Sequence, residues 1–125
     1  MFFIKIKVKG KLINLTENKT DLINTNGIKK SKEISYVNDN IKHKIILDDN
    51  KVILLRENEE FSHGMIFEEN NNHKSEYYLK ESKYSIEFNI NTTKLIIDNN
   101  KIDITYEILE SENIYNYVLE VSDNL

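Results

Sequence analysis

Cysteine, proline and tryptophan are absent from this chain of 125 residues, and glycine occurs only three times. The absence of cysteine excludes disulfides, thiolate metal sites and a cysteine nucleophile, and it fits a reducing compartment. With no proline and so little glycine, we expect Asn and Asp to make the turns, because both tolerate the left-handed backbone conformation. Arginine is almost as scarce, since Arg56 is the single arginine among 17 Lys and Arg residues.

Long apolar runs are also missing. In the first segment, MFFIKIKVKGKL, lysines interrupt the apolar residues at every second position from Lys5 to Lys9. A signal peptide needs roughly 7–15 consecutive apolar residues, and a transmembrane helix needs about 20. We therefore expect a cytoplasmic protein that has no membrane partner. The formal net charge of −4 argues against nucleic acid as a partner, since phosphate binding needs a basic surface.

Apolar residues instead alternate with polar ones, which is the two-residue period of a strand with one buried face. Ile4, Ile6 and Val8 alternate with lysines, and similar segments recur along the chain, most clearly in Tyr84–Asn91. No segment has a helical period of useful length. About nine or ten short strands joined by short turns predict an all-β fold in one domain, residues 1–125. Consecutive antiparallel pairing then gives a small up-and-down β-barrel, or a curved sandwich closed on itself.

Turns are predicted where Asn and Asp cluster. Two similar hairpins, His43–Leu55 and Thr93–Thr105, each place an Asp-x-Asn-Lys turn between β-branched strands. We attribute their similarity to shared turn chemistry rather than to an internal repeat. The dipeptide Asn26-Gly27 is the strongest short turn signal in the chain, and it predicts a turn at the end of the segment DLINTNG.

A series of segments along the chain forms a recognisable pattern: VILLRENEEFSHGMIF, the pair Tyr77-Tyr78, ITYEI and NYVLEV, preceded by Asn26-Gly27 and Ser35-Tyr36. In their order and spacing they make the chain resemble the YwiB-like family of small uncharacterised bacterial proteins. The resemblance covers most of the chain and implies a calycin-like, lipocalin-like β-barrel, with no established activity, substrate or catalytic residues. The chain departs from the family at LKESK (79–83), where the family has a connection that contains Pro or Gly.

Arg56 is the sharpest candidate for a binding residue. It is in phase with Val52 and Leu54 on a strand whose other residues are mostly apolar. If that face is the lumen, the guanidinium lies inside or at the mouth of the barrel, where it can bind a carboxylate or phosphate with two hydrogen bonds. The alternative is a structural arginine that pairs with a carboxylate such as Glu107 or caps backbone carbonyls, and structural ion pairs are the more common case.

Tyrosine and histidine side chains are the next candidates. Tyrosine hydroxyls, including those of Tyr115 and Tyr117, can supply polar groups to a pocket with an apolar wall, although each tyrosine also suits an ordinary half-buried strand position. His43 lies on the apolar face of its strand. The predicted ligand-binding residues are Arg56, Tyr36, His43, Met65, Phe67, Tyr78, Phe88 and Tyr106.

No catalytic or metal site is predicted. His43, His63 and His73 have neither HxH nor HExxH spacing. Ser62 and His63 are adjacent on a strand, so their side chains point to opposite faces and cannot readily act as nucleophile and base. The chain also lacks a nucleophile elbow, a phosphate loop and a dinucleotide fingerprint. The sequence therefore predicts no enzyme, no metal and no cofactor.

Two functions are compatible with these observations. The first is a barrel that binds a small apolar or amphipathic ligand, with the anionic end on Arg56 and the apolar part along Met65, Phe67, Phe88 and Tyr106. The second is a protein-interaction or structural module whose barrel is filled by its own side chains, with a homodimer as one form. A cavity of roughly 300 Å³ or more would favour the first function. A filled lumen together with an exposed apolar patch would favour the second.

Overall fold

The computed structural model describes residues 3–123, and this part of the chain contains ten β-strands and no helix. The strands are β1 (Ile4–Asn14), β2 (Lys19–Lys30), β3 (Glu33–Asn38), β4 (Ile41–Asp48), β5 (Lys51–Glu57), β6 (Phe61–Glu68), β7 (Asn72–Leu79), β8 (Tyr84–Asp98), β9 (Lys101–Ile108) and β10 (Asn113–Asp123). None of these residues belongs to a helix long and apolar enough to span a membrane.

The ten strands form one closed antiparallel barrel. Each strand pairs with the next along the chain, and β1 closes the ring by pairing with β10, from Ile6 opposite Asp123 to Asn14 opposite Tyr115. Closure leaves no strand with an unpaired edge, which removes the main route by which sheets associate edge to edge. The prediction of an all-β, up-and-down barrel of nine or ten strands is confirmed.

Alternation along each strand fills the inside of the barrel. In β6, the buried residues Phe61, His63, Met65 and Phe67 face the lumen, and the intervening residues face outward. The lumen-facing apolar residues of the strands join into one hydrophobic cluster. Most of the lumen is therefore occupied by side chains, as expected for a barrel of small diameter.

Turn residues other than glycine adopt the left-handed backbone conformation. Positive φ angles occur at Asn18, Ser31, Asp39, Asn40, Asp49, Asn70, Lys83 and Glu112, and none occurs at a glycine. Five of these eight residues are Asn or Asp, as the composition led us to expect. The LKESK segment forms an ordinary turn between β7 and β8 that closes on Lys83 (φ 56°), so the departure from the family pattern leaves the hairpin in place.

The turn predicted at Asn26-Gly27 is wrong, because both residues lie inside β2. Gly27 pairs with Ile6 on one side and Tyr36 on the other. A Cβ atom at Gly27 would lie 2.5 Å from the carbonyl oxygen of Ser35 and 3.2 Å from the Cβ of Tyr36. The glycine is needed for close packing of neighbouring strands, and its dipeptide only mimics a turn signal.

The turns divide between the two ends of the barrel. Because the strands run up and down in order, the turns after β1, β3, β5, β7 and β9 all lie at one end. Arg56 is close to this end, near the end of β5 and just before the turn at residues 58–60. We call it the Arg56 end. The turns after the even-numbered strands lie at the opposite end.

Candidate functional site

Arg56 occupies the lumen face of β5, in phase with the buried residues Val52 and Leu54. In the register of the sheet it is directly opposite His43 of β4 and His63 of β6. Directly opposed residues of antiparallel strands project from the same face, so these three side chains form one row across three strands. The row places one guanidinium between two imidazoles.

Arg56 has no counterion among residues 3–123, because every ion pair in this range has a Lys or His side chain as its cation. Its guanidinium carbon lies 5.7 Å from the centre of the Phe61 ring, a cation–π contact. The structural alternative that pairs it with Glu107 is wrong, because Glu107 lies between the lumen-facing residues Tyr106 and Ile108 and points outward. A half-buried cation without an anionic partner is costly, which makes Arg56 the unusual feature of this end.

A cavity of about 180 Å³ opens at the Arg56 end. Its apolar wall comes from Leu12, Ile23, Ile41, Leu54 and Met65, and its polar groups come from Asp21, Asn38, Asp39, His43, Arg56, Tyr106 and Tyr117. An apolar wall with a few convergent polar groups is the usual form of a small-molecule site. The volume is below the roughly 300 Å³ expected of a ligand-binding barrel, so this criterion is not met, and only a very small molecule fits.

Tyrosines support the cavity from within the core. The hydroxyls of Tyr36 and Tyr117 are joined by a hydrogen bond of 2.5 Å between β3 and β10. The ring of Tyr36 also stacks on His43, with centroids 4.5 Å apart and planes within 5° of parallel. Tyr106 packs between Phe67 at 4.8 Å and Tyr115 at 5.2 Å. The lining residues His43, Tyr106 and Tyr117 are therefore each held by an aromatic neighbour, so this part of the cavity wall is preformed.

Burial and the charge of Arg56 determine the protonation of the site. Burial, followed by the nearby positive charge of Arg56, lowers the pKa of His43 to about 4. The same two causes lower the pKa of His63 to about 4. Burial raises the pKa of Tyr36 to about 12 and raises the pKa of Tyr117 well above its usual value. At neutral pH His43, His63, Tyr36 and Tyr117 are therefore uncharged, and the positive charge beside the two imidazoles is that of Arg56.

The hydrogen bond of His43 fixes its tautomer. Its Nδ1 lies 3.1 Å from the backbone carbonyl oxygen of Ile41, and a carbonyl oxygen can only accept a hydrogen bond. The proton of the neutral ring is therefore on Nδ1, and Nε2 is an acceptor. Since His43 lines the cavity, it contributes an acceptor to the site rather than a second positive charge.

His63 belongs to a separate buried cluster. Its Nε2 lies 2.8 Å from the hydroxyl of Ser75, and that hydroxyl donates to the carbonyl oxygen of Gly64 at 2.6 Å. Because the Ser75 hydroxyl donates its proton to the carbonyl oxygen of Gly64, Nε2 of His63 is the donor to the Ser75 oxygen. The buried Nδ1 of His63 has no hydrogen-bond partner. An imidazole in this arrangement does not remove the proton of Ser75, so the pair lacks the geometry of an activated nucleophile.

A metal ion does not fit this arrangement of side chains. Within residues 3–123, no group of three or more His, Asp or Glu side chains is placed to hold a metal ion. The two imidazoles of the row, His43 and His63, flank the positive charge of Arg56, which opposes the binding of a second cation between them. The guanidinium of Arg56 is itself suited to an anionic group.

The structure brings four of the eight predicted ligand-binding residues to the cavity wall: Arg56, His43, Met65 and Tyr106. Three others lie in the lumen beside these residues or beside the row. Tyr36 stacks on His43, Phe67 packs deeper against Tyr106, and Phe88 meets His63 edge to face at 6.4 Å. Tyr78 is not brought to the site.

Tyr78 lies on the outer face of β7. Its neighbours in the sheet are Ser62 and Ser85, which also face outward, whereas the buried Ser75 and the adjacent Tyr77 face the lumen. Of the pair Tyr77-Tyr78, it is Tyr77 that stacks on Phe61, with ring centres 4.8 Å apart. The prediction of Tyr78 as a ligand-binding residue is therefore wrong, since Tyr77 is the tyrosine of this pair that faces the lumen. Two consecutive tyrosines leave the buried face of a strand ambiguous in the sequence.

Sequence reasoning missed the acidic members of the cavity, Asp21 and Asp39. Asp21 opens the segment DLINTNG, for which a turn was predicted, and Asp39 lies between two asparagines, so neither carboxylate stands out from the solvated ones in the sequence. His63 was also left out of the predicted ligand-binding residues, although extending the alternation of Met65 and Phe67 back along β6 puts His63 on the lumen face. No comparable signal in the sequence marks Asp21, since its strand was interrupted by the false turn at Asn26-Gly27.

Comparison with known proteins identifies the fold. The structure is similar to the crystal structure of the YwiB protein from Bacillus subtilis, with a TM-score of 0.73, over 98% of this chain and 92% of that chain, at 17% sequence identity. No family model matches the chain, and no curated protein matches it. The likeness supports a YwiB-like barrel fold, and at this identity it carries no function from one protein to the other.

Proposed function

We propose that this barrel binds a small amphipathic ligand in the cavity at the Arg56 end, with the anionic group of the ligand on the guanidinium of Arg56. The observation that supports the proposal is a half-buried arginine that lines a cavity and has no ion pair among residues 3–123. Arginine presents a planar set of donors that matches a carboxylate or phosphate. A short apolar part would lie against Leu54 and Met65.

The volume of the cavity limits the ligand. At about 180 Å³, it holds on the order of six water molecules at their liquid volume of about 30 Å³ each. Long fatty acids and large ring systems are excluded by this size, because the deeper lumen is filled by residues such as Phe67 and Tyr106. Short-chain carboxylates and inorganic phosphate are therefore the appropriate first probes.

The test compares Arg56→Gln with Lys9→Gln in isothermal titration calorimetry using butanoate and inorganic phosphate. Both variants convert one cation to an amide, but Lys9 is on the outer face of β1. A charged hydrogen bond contributes about 1.5–3 kcal/mol, so Arg56→Gln should weaken binding by about 10-fold to 100-fold. Lys9→Gln should bind as the wild type does.

Native mass spectrometry of gently purified protein is the companion measurement. A discrete extra mass that leaves on denaturation would identify the class of the natural ligand. If Arg56→Gln binds the probes as tightly as wild type, the proposal fails. It also fails if wild type carries no extra mass and binds no carboxylate, with or without an ammonium group on the probe.

A protein-interaction module is the second candidate, and one feature of the outer wall favours it. Val37 and Leu55 are exposed, at 52% and 43%, and both line a groove on the outside of the barrel. Exposed apolar residues that share a groove are typical of surfaces that bind other proteins. Sedimentation equilibrium of wild type and of the variant Val37→Ser/Leu55→Ser tests for a homodimer: a dimer that the variant abolishes would support this function, and a monomer at all concentrations would contradict self-association.

A further inference from the structure

The cavity at the Arg56 end contains two carboxylates as well as one guanidinium. Asp21 reaches it from the first residues of β2, and Asp39 reaches it from the turn between β3 and β4. Neither carboxylate forms an ion pair with any residue in the described range 3–123. Asp39 lies close enough to His43 for its negative charge to raise the pKa of the imidazole, against the larger lowering effects. The same cavity therefore offers one positive and two negative groups, none of them neutralised by a direct partner.

This distribution of charge disfavours a simple anion. An anion on Arg56 satisfies the guanidinium, but it is repelled by Asp21 and Asp39 within the same small space. Like charges placed together are one of the ways by which a site excludes the wrong ligand. A ligand that is only anionic gains one favourable charge interaction and meets two unfavourable ones.

The neutral groups of the cavity add to the excess of acceptors. Because Nδ1 of His43 donates its proton in a hydrogen bond to the carbonyl oxygen of Ile41, Nε2 is free to accept one. The pKa of about 4 of this imidazole keeps it unprotonated at neutral pH. The cavity thus holds one strong donor group, Arg56, facing acceptors from His43, Asp21 and Asp39.

We infer that the ligand is a small zwitterion, whose carboxylate binds Arg56 and whose ammonium group binds among Asp39, Asp21 and Nε2 of His43. This inference rests on the proposed function and specifies the class of its ligand. An ammonium group carries three donors and one positive charge, so it satisfies the acceptors that an anion leaves without a partner. Amino acids with a short chain between the two charged groups have the size and the charges that the cavity requires.

The test uses pairs of probes that differ only in the ammonium group. Isothermal titration calorimetry at pH 7 compares 3-aminopropanoate with propanoate, 4-aminobutanoate with butanoate, and 6-aminohexanoate with hexanoate. We expect one of the amino acids to bind wild type about threefold to tenfold more tightly than its matched carboxylate, because Asp21 and Asp39 are exposed at the mouth of the cavity, where water weakens each charge pair.

Asp39→Asn is the variant that tests the ammonium subsite. Asn tolerates the left-handed conformation that Asp39 adopts, with φ of 52°, so the turn is retained. The variant should lose about two- to fivefold of the preference for the amino acid, as expected for an exposed charge pair, and should bind the plain carboxylate more tightly. Asp98→Asn removes the same charge at the opposite end of the barrel, and it should leave both affinities unchanged.

The outcomes separate the inference from the proposed function. If carboxylates bind through Arg56 and the ammonium group adds nothing, or weakens binding, the zwitterion is excluded and the anion site stands. If Asp39→Asn and Asp98→Asn behave alike while the amino acid is still preferred, the subsite at Asp39 is wrong. If no probe of either kind binds, the inference and the proposed function fail together.

Discussion

Acidification should destabilise this barrel well above the pH at which carboxylates titrate. Burial and the charge of Arg56 hold the pKa values of His43 and His63 at about 4 in the folded protein, against about 6.5 in an unfolded chain. Between pH 6.5 and 4 the unfolded chain therefore binds more protons than the folded one. The stabilising effect of the neutral imidazoles is fully present above pH 6.5 and is lost progressively as the pH falls to 4.

The size of the effect follows from these two pKa values. For one histidine, the linkage relation gives a loss of about 2 kcal/mol between pH 7.5 and pH 5. Partial access of solvent to the rings reduces this by roughly half, so we expect His43 and His63 together to contribute a loss of about 2 kcal/mol. The groups that face His43 are Tyr36, Arg56 and Asp39.

Urea denaturation at pH 7.5 and pH 5 measures this difference directly, for wild type and for the variant His43→Gln/His63→Gln. Glutamine is polar but does not titrate, so the double variant should lose about 2 kcal/mol less than wild type over the same interval. An NMR titration of the two imidazoles checks their pKa values independently. If wild type loses less than about 0.5 kcal/mol, or if the double variant retains the full dependence, the assignment of the effect to these histidines is refuted.

Three other substitutions test single features of the lumen by urea denaturation. Arg56→Met should raise the free energy of unfolding by about 1 kcal/mol, because it removes a partly desolvated cation that has no counterion; a loss of 1 kcal/mol or more would assign Arg56 a structural role. Tyr36→Phe should cost about 1–2 kcal/mol because it leaves the buried hydroxyl of Tyr117 unpartnered, and an unchanged midpoint would contradict the hydrogen bond. Gly27→Ala should cost about 1–3 kcal/mol, since its Cβ would lie 2.5 Å from the carbonyl of Ser35, and wild-type stability would show that β3 moves away at no cost.

The barrel could be predicted from the sequence because strand alternation is a local signal with a global consequence. The alternation of Ile6 and Val8 with lysines, and of Met65 with Phe67, fixes which face of each strand is buried. Short connections then leave little choice but antiparallel pairing of neighbours. Gly27 shows the limit of local reasoning, because its role is to let β2 pack closely against Ser35 and Tyr36 of the neighbouring strand β3.

The candidate site could be predicted only in part. Arg56 was found because it is the single arginine and is in phase with a buried strand face. The cavity, however, also includes Leu12 and Asp21, which come from strands distant from Arg56 in sequence and are brought beside it by closure of the ring. Which residues meet at one end depends on the register of every intervening hairpin, and a single error, such as the turn at Asn26-Gly27, displaces the acidic residues from the site.

The pairing of β1 with β10 also has a consequence for how the protein folds during synthesis. The other nine pairings join consecutive strands, but the pair Asn14 and Tyr115 can form only after residue 115 has left the ribosome. Contacts this distant in sequence form late, because closing so long a loop costs conformational entropy until the intervening hairpins have formed. Leu12 and Tyr117 are opposite each other at this seam and both line the cavity, so we expect ligand binding to be acquired at the last step of folding.

In pulsed hydrogen exchange during refolding, the amides of the β1–β10 pairing should become protected together with the onset of ligand binding. Protection of this pairing before the β4–β5 hairpin would contradict the expected order.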